Sequence, residues 1–374
     1  MYLSRLLLNN YRNYIREEFT PHSHLNLIQG ENAQGKSNLL EAIFLLGMGK
    51  SPFNARSREI IRWGEGWFRL EGQVERRDHS LKVELVYKKD GVREMTINGQ
   101  REDNISQLLG RINVVLFSPE DLQLLKGGPA LRRRYLDLQL CQISPRYFYY
   151  LQQYRRIIQQ RNMLLKDIRF DHLREGEDLS VWDRQLIQVG TGIIYKRQGA
   201  VSKLAPLAAE LHKKMSGGRE ELTVAYRPSI SGRGERSPEE IAADFQRALA
   251  AVRGDELKRQ FTMIGPHRDD ISLYINGRDG RKYGSQGQQR TAALSLKLAE
   301  TLYIEEEMGE HPILLLDDIM SELDSRRRQF VFDGVQGKGQ VFITGTEGDE
   351  FSPGTRGRRY HISQGRILEG WSPD

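Results

Sequence analysis

The chain has 374 residues, which is enough for one large domain or two smaller ones, each with its own hydrophobic core. Its single cysteine, Cys141, excludes an intramolecular disulfide, and it carries neither a signal-peptide pattern nor an apolar run long enough to cross a bilayer, so we expect a soluble cytoplasmic protein. The formal charge of +6 and the pI of about 9.2 favour a polyanionic partner, with nucleic acid ahead of an acidic membrane surface.

The chain opens with a predicted strand over residues 2–8, and residues 25–46 then predict a strand, a phosphate-binding loop and a helix. The loop has the spacing G-x-x-x-x-G-K-S, in which Gly30 and Gly35 permit backbone angles that turn successive N–H groups toward an anion. Lys36 can reach the β- and γ-phosphates of a nucleotide, and the hydroxyl of Ser37 can bind Mg²⁺. ATP is the expected ligand, ahead of GTP. The residues predicted to line this nucleotide site are Gly30, Glu31, Asn32, Ala33, Gln34, Gly35, Lys36, Ser37 and Asn38.

Alternating apolar and polar residues predict antiparallel strands after this helix. Residues 67–74, 81–87 and 92–97 alternate in this way, and Asp-Gly and Asn-Gly pairs at 90–91 and 98–99 mark turns between them. These hairpins predict a side sheet that flanks the nucleotide. Residues 112–117 read instead as a fully buried strand.

Two long stretches with helical periodicity, 148–168 and 182–215, predict an antiparallel helical arm joined by a polar connection near 174–176. Its arginines are interpreted as a solvated face, although the aromatic and basic residues of 147–156 also suit a partner surface. A loop over 228–236 precedes a helix that begins at Ser237 with a capping box. We expect the lone His267 to hydrogen-bond within a loop rather than to bind a metal.

Four apolar residues, 313–316, predict a central parallel strand that ends in two carboxylates, Asp317 and Asp318. The carboxyl ends of such strands are where α/β sheets bind their ligands. Asp317 is predicted to hold Mg²⁺ together with Ser37, and Asp318 to orient the attacking water.

Residues 283–290 place a serine among glycines at the start of a helix, which is a second candidate anion site. Their position before the carboxylate strand resembles the signature element of ABC-type ATPases. Residues 317–324 resemble the Walker B motif and D-loop of that superfamily, with Asp324 at the D-loop position.

Together with the phosphate loop, four more motifs resemble the RecF family of bacterial DNA replication and repair proteins. They are residues 9–14 (N-N-Y-R-N-Y), 117–122 (F-S-P-E-D-L), 265–270 (G-P-H-R-D-D) and 285–290 (S-Q-G-Q-Q-R). The resemblance implies an α/β ABC-type ATPase head like those of SMC and Rad50 proteins, with a mixed sheet, an antiparallel side sheet and a helical second lobe. We expect residues 1–125 and 261–374 to form the ATPase lobe, and residues 126–260 to form the helical lobe.

The resemblance further implies an ATP-dependent homodimer that encloses two ATP molecules and binds double-stranded or gapped DNA. Lys36, Asp318 and Ser285 are the implied catalytic residues, and Ser285, Gly287 and Asp324 the further implied nucleotide-binding residues. Ser285 acts across the dimer on the γ-phosphate, and Asp324 lies near the dimer seam. RecR, RecO and RecA are the implied partners in recombinational repair.

Two departures from the ABC pattern predict slow hydrolysis. Asp318 stands where ABC ATPases usually have glutamate, and residues 342–346 lack the switch histidine. The glutamine-loop position is open, with Glu120 and Asp121 as candidates. A transporter-type ABC ATPase and a scaffold stabilised by nucleotide are the alternative functions, although a basic helical arm is not the compact insert of transporter subunits.

Overall fold

The computed structural model describes residues 1–53, 55–169, 177–230, 232, 234–335, 337–345 and 357–369. Its strands are β1 (Tyr2–Tyr11), β2 (Tyr14–Phe19), β3 (Leu25–Gln29), β4 (Trp67–Glu75), β5 (Ser80–Lys88), β6 (Arg93–Ile97), β7 (Gln100–Arg101), β8 (Val114–Phe117), β9 (Leu222–Arg227), β10 (Asp270–Ile275), β11 (Arg278–Asp279), β12 (Ile313–Leu316), β13 (Val341–Gly345), β14 (Gly357–Ser363) and β15 (Arg366–Glu369). Its α-helices are α1 (Lys36–Met48), α2 (Ser57–Ile60), α3 (Gln123–Lys126), α4 (Pro129–Ile143), α5 (Pro145–Arg169), α6 (Glu177–Met215), α7 (Pro238–Arg259), α8 (Gly280–Tyr283), α9 (Gln286–Met308) and α10 (Ser325–Val335).

The chain divides into two compact units. Unit 1 consists of Met1–Asp121 and Lys297–Asp374, and unit 2 consists of Leu122–Leu296. Residues 261–296 therefore group with the helical unit, whereas the sequence assigned them to the ATPase lobe. The division into three segments at 125 and 260 stays a prediction.

The central sheet of unit 1 carries the phosphate loop. Its order is β15-β14-β3-β13-β12-β8, and all neighbours are parallel except β14 and β15. All four residues of β12 are buried, as the apolar run 313–316 predicted. Because β3, β13, β12 and β8 are parallel, the loops that follow them lie at one edge of the sheet.

A second sheet in unit 1 is wholly antiparallel, in the order β2-β1-β4-β5-β6-β7. It contains the predicted hairpins, and the Asn98-Gly99 turn has φ of 50° and 80°, the paired positive values of a type I′ turn. Helix α1 packs on strands of both sheets, which explains why it is apolar nearly all round.

The predicted helical arm is present in unit 2. Helices α5 and α6 run antiparallel, as two contacts show. Tyr147, at the start of α5, contacts Arg197, in the second half of α6. Arg161, further along α5, contacts Asp183, near the start of α6. The predicted connection at 174–176 lies outside the described residues. Ser237 forms the predicted capping box at the start of α7: its hydroxyl accepts from the N–H of Glu240, whose carboxylate accepts from the N–H of Ser237.

The interpretation of the arm's arginines as a solvated face is wrong for two of them. Arg155 and Arg156 are exposed, but Arg161 and Arg197 are almost fully buried and form ion pairs. Arg161 lies 2.6 Å from the equally buried Glu256. Charge counting along one helix could not reveal this, because the partners come from other segments.

A three-stranded sheet, β11-β10-β9, completes unit 2, and its strand β9 was not predicted. Across the described ranges, no helix is long and apolar enough to cross a membrane.

Candidate nucleotide-binding site

The loop between β3 and α1 has the backbone of a phosphate nest. Gly30 and Gly35 have φ of 148° and 120°, and Ala33 also has a positive φ of 64°. A Cβ on Gly30 would lie 2.3 Å from the carbonyl oxygen of Ile362, so no larger residue fits there. Glu31, Asn32 and Ala33 form the exposed tip of this loop.

Lys36 bends back over the loop. Its ammonium donates to the carbonyl oxygens of Gly30 at 2.7 Å and Glu31 at 3.0 Å, and the residue is only 4% exposed. An ammonium held by weak carbonyl acceptors can exchange them for phosphate oxygens, which form stronger charge-assisted bonds. The position of Lys36 therefore fits its predicted role.

The two halves of the predicted site meet at Asp317. The hydroxyl of Ser37, which lies 280 positions earlier in the chain, donates to Asp317 Oδ1 at 2.9 Å. They can meet because β3 and β12 are separated in the sheet by β13 alone. Burial raises the pKa of Asp317, and the hydrogen bonds from Ser37 and Thr344 partly oppose that rise.

Thr344 was not assigned a role from the sequence. It lies near the end of β13, and its hydroxyl is 3.0 Å from Asp317 Oδ1 and accepts from the N–H of Asp318 at 2.8 Å. One side chain thus holds both carboxylate residues at the end of β12. A polar residue after the apolar run 341–343 was the available signal.

The hydroxyl of Ser37 and the carboxylate of Asp317 fit Mg²⁺, which prefers oxygen ligands and usually keeps several waters and phosphate oxygens in its shell. Asp317 is buried, and its raised pKa shows that its negative charge is poorly compensated. Within the described ranges no group of three or more acidic, histidine or cysteine side chains could hold a metal. When bound, Mg²⁺ would neutralise charge on the β- and γ-phosphates.

The loop after β8 lies beside the same carboxylate. The N–H of Asp317 donates to the carbonyl oxygen of Phe117 at 2.8 Å, and the charge of Glu120 contributes to the raised pKa of Asp317. Asp121 turns back to accept from the N–H of Ser118 at 2.7 Å. Of the two glutamine-loop candidates, Glu120 is therefore the one whose side chain acts electrostatically on Asp317.

The signature residues Ser285 and Gly287 belong to unit 2. The hydroxyl of Ser285 accepts from the N–H of Gln288 at 3.2 Å, and the side chain of Gln288 accepts from the N–H of Ser285 at 2.9 Å, a reciprocal cap at the start of α9. Ser285 is exposed.

The D-loop residue Asp324 belongs to unit 1 and is also exposed. It caps α10 by accepting from the N–H of Arg327 at 2.9 Å. Unit 1 thus brings together Lys36, Ser37, Asp317 and Asp318.

The first helix of the site is also tied to the turn between β1 and β2. Arg12 donates twice to the carboxylate of Glu41 in α1, each time at 2.7 Å, and Glu41 accepts a further bond from Ser51 at 2.5 Å. Glu41 is only 1% exposed, and the close, two-point contact with Arg12 offsets the cost of removing its charge from water. Arg12 is the arginine of the N-N-Y-R-N-Y motif, and its physical role depends on a partner 29 positions away in the chain.

Comparisons with known proteins place the chain in a family. A family model described as RecF/RecN/SMC N terminal domain matches residues 2–356. The DNA replication and repair proteins RecF of Bacillus thuringiensis (strain Al Hakam) and Bacillus cereus (strain AH187) are each 42% identical over 369 residues, which cover 98% of both chains.

Solved structures agree with the sequence matches. The recombination mediator protein RecF with ATP, of the RecFOR pathway, is 37% identical, has a TM-score of 0.92, and is matched over 99% of this chain and 98% of its own. An SMC head bound to the C-terminal winged-helix domain of ScpA has a TM-score of 0.56 at 15% identity, with 100% and 98% of the two chains covered, which indicates a shared fold alone. These matches confirm the predicted α/β ATPase-head fold, and the chain belongs to the RecF family of ATP-binding DNA replication and repair proteins.

Proposed function

We propose that the protein is an ATP-driven DNA-binding switch of recombinational repair. ATP closes a homodimer on double-stranded or gapped DNA, and slow hydrolysis opens it. The observation that carries this proposal is the meeting of Ser37 and Asp317 at 2.9 Å beside the nest that holds Lys36. A switch needs a site that binds ATP and Mg²⁺ together, and these groups supply it.

The homodimer gives Ser285, Gly287 and Asp324 their roles. Ser285 contacts the γ-phosphate bound to the partner subunit, and Asp324 lies at the seam between subunits. The exposure of Ser285 and Asp324 supports this arrangement, because a residue that acts on a second subunit must be reachable by it. The reciprocal cap at Ser285 also leaves the start of α9 well ordered for anion binding.

Hydrolysis is proposed to be slow. Asp318 orients the attacking water with a side chain one methylene shorter than the glutamate of most ABC ATPases. Its φ of 49° is an unfavourable value for a residue other than glycine, so its position is set by its surroundings rather than by local preference. In the described part of the segment where a switch histidine would stand, β13 ends in Thr344 and Gly345; Thr346 lies outside the described residues.

The partners are proposed from the relatives. The similar solved structure is that of a recombination mediator of the RecFOR pathway, so we propose that this chain works with RecR and RecO in loading RecA onto DNA. The surplus of six positive charges supports DNA as a ligand. The single cysteine is consistent with action in the cytoplasm.

Sedimentation of the protein with ATP, with ADP and without nucleotide, each with and without a gapped DNA duplex, tests the proposal. We expect a dimer only with ATP, and we expect only that dimer to hold DNA. Lys36→Arg should stay monomeric, because a branched planar cation cannot replace a compact ammonium in the nest. The exposed Lys89→Arg is the matched control and should behave as the parent.

Two outcomes would count against the switch. If the protein stays monomeric in every state, its nucleotide site does not drive dimerisation. If it binds DNA equally well in every nucleotide state, a scaffold stabilised by nucleotide becomes the better explanation.

A further inference from the structure

Three hydrogen bonds from two turns that are distant in the sequence hold Gln34 of the phosphate loop. Its carbonyl oxygen accepts from Asn13 Nδ2 at 2.7 Å and from the N–H of Gly365 at 3.1 Å. Its side-chain oxygen accepts from the N–H of Gln364 at 2.6 Å. Asn13 belongs to the turn between β1 and β2, whereas Gln364 and Gly365 form the turn between β14 and β15, some 330 positions along the chain.

These bonds fix the direction of the peptide groups in the nest. In a planar trans peptide the C=O and the following N–H point in opposite directions. Holding the Gln34 carbonyl toward the two turns therefore directs the N–H of Gly35 away from them. The hydroxyl of Tyr14 donates to the carbonyl of Gly35 at 2.9 Å, which directs the N–H of Lys36 in the same way.

The contact between the two turns leaves no room for adjustment. Gly365 is buried with a φ of 70°, and a Cβ there would lie 2.5 Å from the carbonyl oxygen of Asn13. A Cβ on Gly35 would lie 2.6 Å from Asn13 Nδ2. The Asn13 turn is thus packed between the phosphate loop on one side and the Gly365 turn on the other.

We propose that the β14–β15 turn, through Gln364 and Gly365, is a positioning element that sets ATP affinity by aiming the N–H groups of Gly35 and Lys36. This inference rests on the proposed nucleotide binding. The β14–β15 turn is then a second support of the phosphate loop, beside the turn that contains Asn13. The turn residues do not touch the nucleotide; they act through Gln34. Because the nest shapes the bound ground state and the transition state alike, loss of the support raises KM and leaves kcat largely unchanged.

Gly365→Ala is the first test, with Gly99→Ala as its matched control. Both glycines lie in tight hairpin turns of unit 1 with similar positive φ, 70° and 80°, but a Cβ on Gly99 would meet nothing within 4 Å. The two variants therefore share the backbone strain and differ in the clash with Asn13. Asn13→Ala, which removes a donor to Gln34 without adding charge, is the second variant and tests the aiming of the Gln34 carbonyl even if Gly365→Ala does not fold. Because Asn13 Oδ1 also accepts from Asn38 Nδ2 at 2.9 Å, Asn38→Ala, which removes that second bond alone, measures its share of the effect.

Calorimetric titration with ATP and Mg²⁺, well below the unfolding temperature, gives the affinity, and steady-state hydrolysis gives KM and kcat. We expect Gly365→Ala and Asn13→Ala to raise Kd and KM about tenfold, which corresponds to about 1.4 kcal/mol, with kcat within about twofold. Gly99→Ala should match the parent. Parental affinity in Gly365→Ala and Asn13→Ala, or a fall in kcat at unchanged KM, would overturn the inference alone. Failure of the parent protein to bind ATP would overturn the proposed function as well.

Discussion

Asp317→Asn should separate the stability of the protein from its ability to bind nucleotide. Burial raises the pKa of Asp317, which means that the charged carboxylate is disfavoured in the folded, nucleotide-free protein. An asparagine oxygen can still accept from Ser37 and Thr344, which are 2.9 and 3.0 Å away. We therefore expect the variant without nucleotide to unfold at the parental temperature or slightly above it.

The effect of ATP and Mg²⁺ should be lost in the same variant, because a neutral amide replaces the carboxylate ligand. A ligand at a hundred times its Kd stabilises the folded state by about 2.7 kcal/mol. For a unit of roughly 150–250 residues, each kcal/mol shifts the unfolding temperature by about 2–4 °C. The parent should thus gain about 5–11 °C. If the same ligand concentration only reaches the raised Kd of Asp317→Asn, that variant gains RT ln 2, or about 0.4 kcal/mol, which is less than about 2 °C.

The pH dependence of folding stability tests independently whether the pKa of Asp317 is raised or lowered by folding. A carboxyl group whose folded pKa is raised stabilises the folded state fully below its unfolded pKa, about 3.9 for aspartate, and that contribution is lost as pH rises through the folded pKa. Asp317→Asn should remove this component of the decline. Differential scanning calorimetry from pH 4 upward, with and without ATP and Mg²⁺, measures both effects.

Asp103→Asn is the control, since Asp103 is 92% exposed and its pair with Arg101 lies at the surface. It should keep the full rise with nucleotide. A loss of several degrees in nucleotide-free Asp317→Asn, or an undiminished rise on adding ATP and Mg²⁺, would refute the assignment of Asp317.

Three further predictions concern other parts of the molecule. Glu300→Gln should flatten the loss of stability between about pH 4.5 and 7 in thermal scans, because burial raises the pKa of Glu300 from 4.5 to about 7. Arg161→Met should lower the free energy of unfolding in urea by about 3–5 kcal/mol, because the buried Glu256 loses its partner. If the exposed Arg155 and Arg156 contact phosphates, changing both to glutamine should reduce the slope of log K against log salt by about 1.8 in DNA titrations; an unchanged slope would place the DNA elsewhere.

Local physics explains which elements the sequence could predict. The phosphate loop, the capping box at Ser237 and the Asn98-Gly99 turn each depend on residues within a few positions of one another. Asn276-Gly277, with φ of 50° and 74°, is a second turn of the same residue types. In each case the residue type and the backbone angle it permits are linked directly.

The β14–β15 hairpin shows where that link fails. Its turn has φ of 49° at Gln364 and 70° at Gly365, the same pair of positive values as the Asn-Gly turns. Glutamine is not a residue that favours a positive φ, so the sequence carried only half of the usual signal. The strain at Gln364 is offset by its hydrogen bond to Gln34, a contact that no local pattern could reveal.

Thr344 was missed for a different reason. Its residue type fits any strand, and its importance comes from the order β3-β13-β12, which places it between the strand of the phosphate loop and the strand that ends at Asp317. Sheet order is a property of the whole fold. The two carboxylates could be predicted from their own motif, but the residue that holds them in place could not.

The motif at 265–270 has a structural explanation within unit 2. Arg197 of the arm donates to the carbonyl of Pro266 at 2.6 Å and lies 3.6 Å from the carboxylate of the fully buried Asp269. His267 forms a hydrogen bond with Tyr154 of α5 at 2.8 Å, in agreement with its predicted role within the loop. Burial lowers the pKa of His267 to about 4, so the ring is neutral at physiological pH. These contacts join the loop to both helices of the arm. Removing one partner of a buried ion pair costs about 3–5 kcal/mol. Arg197, one of the buried arginines that the sequence suggested were solvated, therefore holds the arm to this loop.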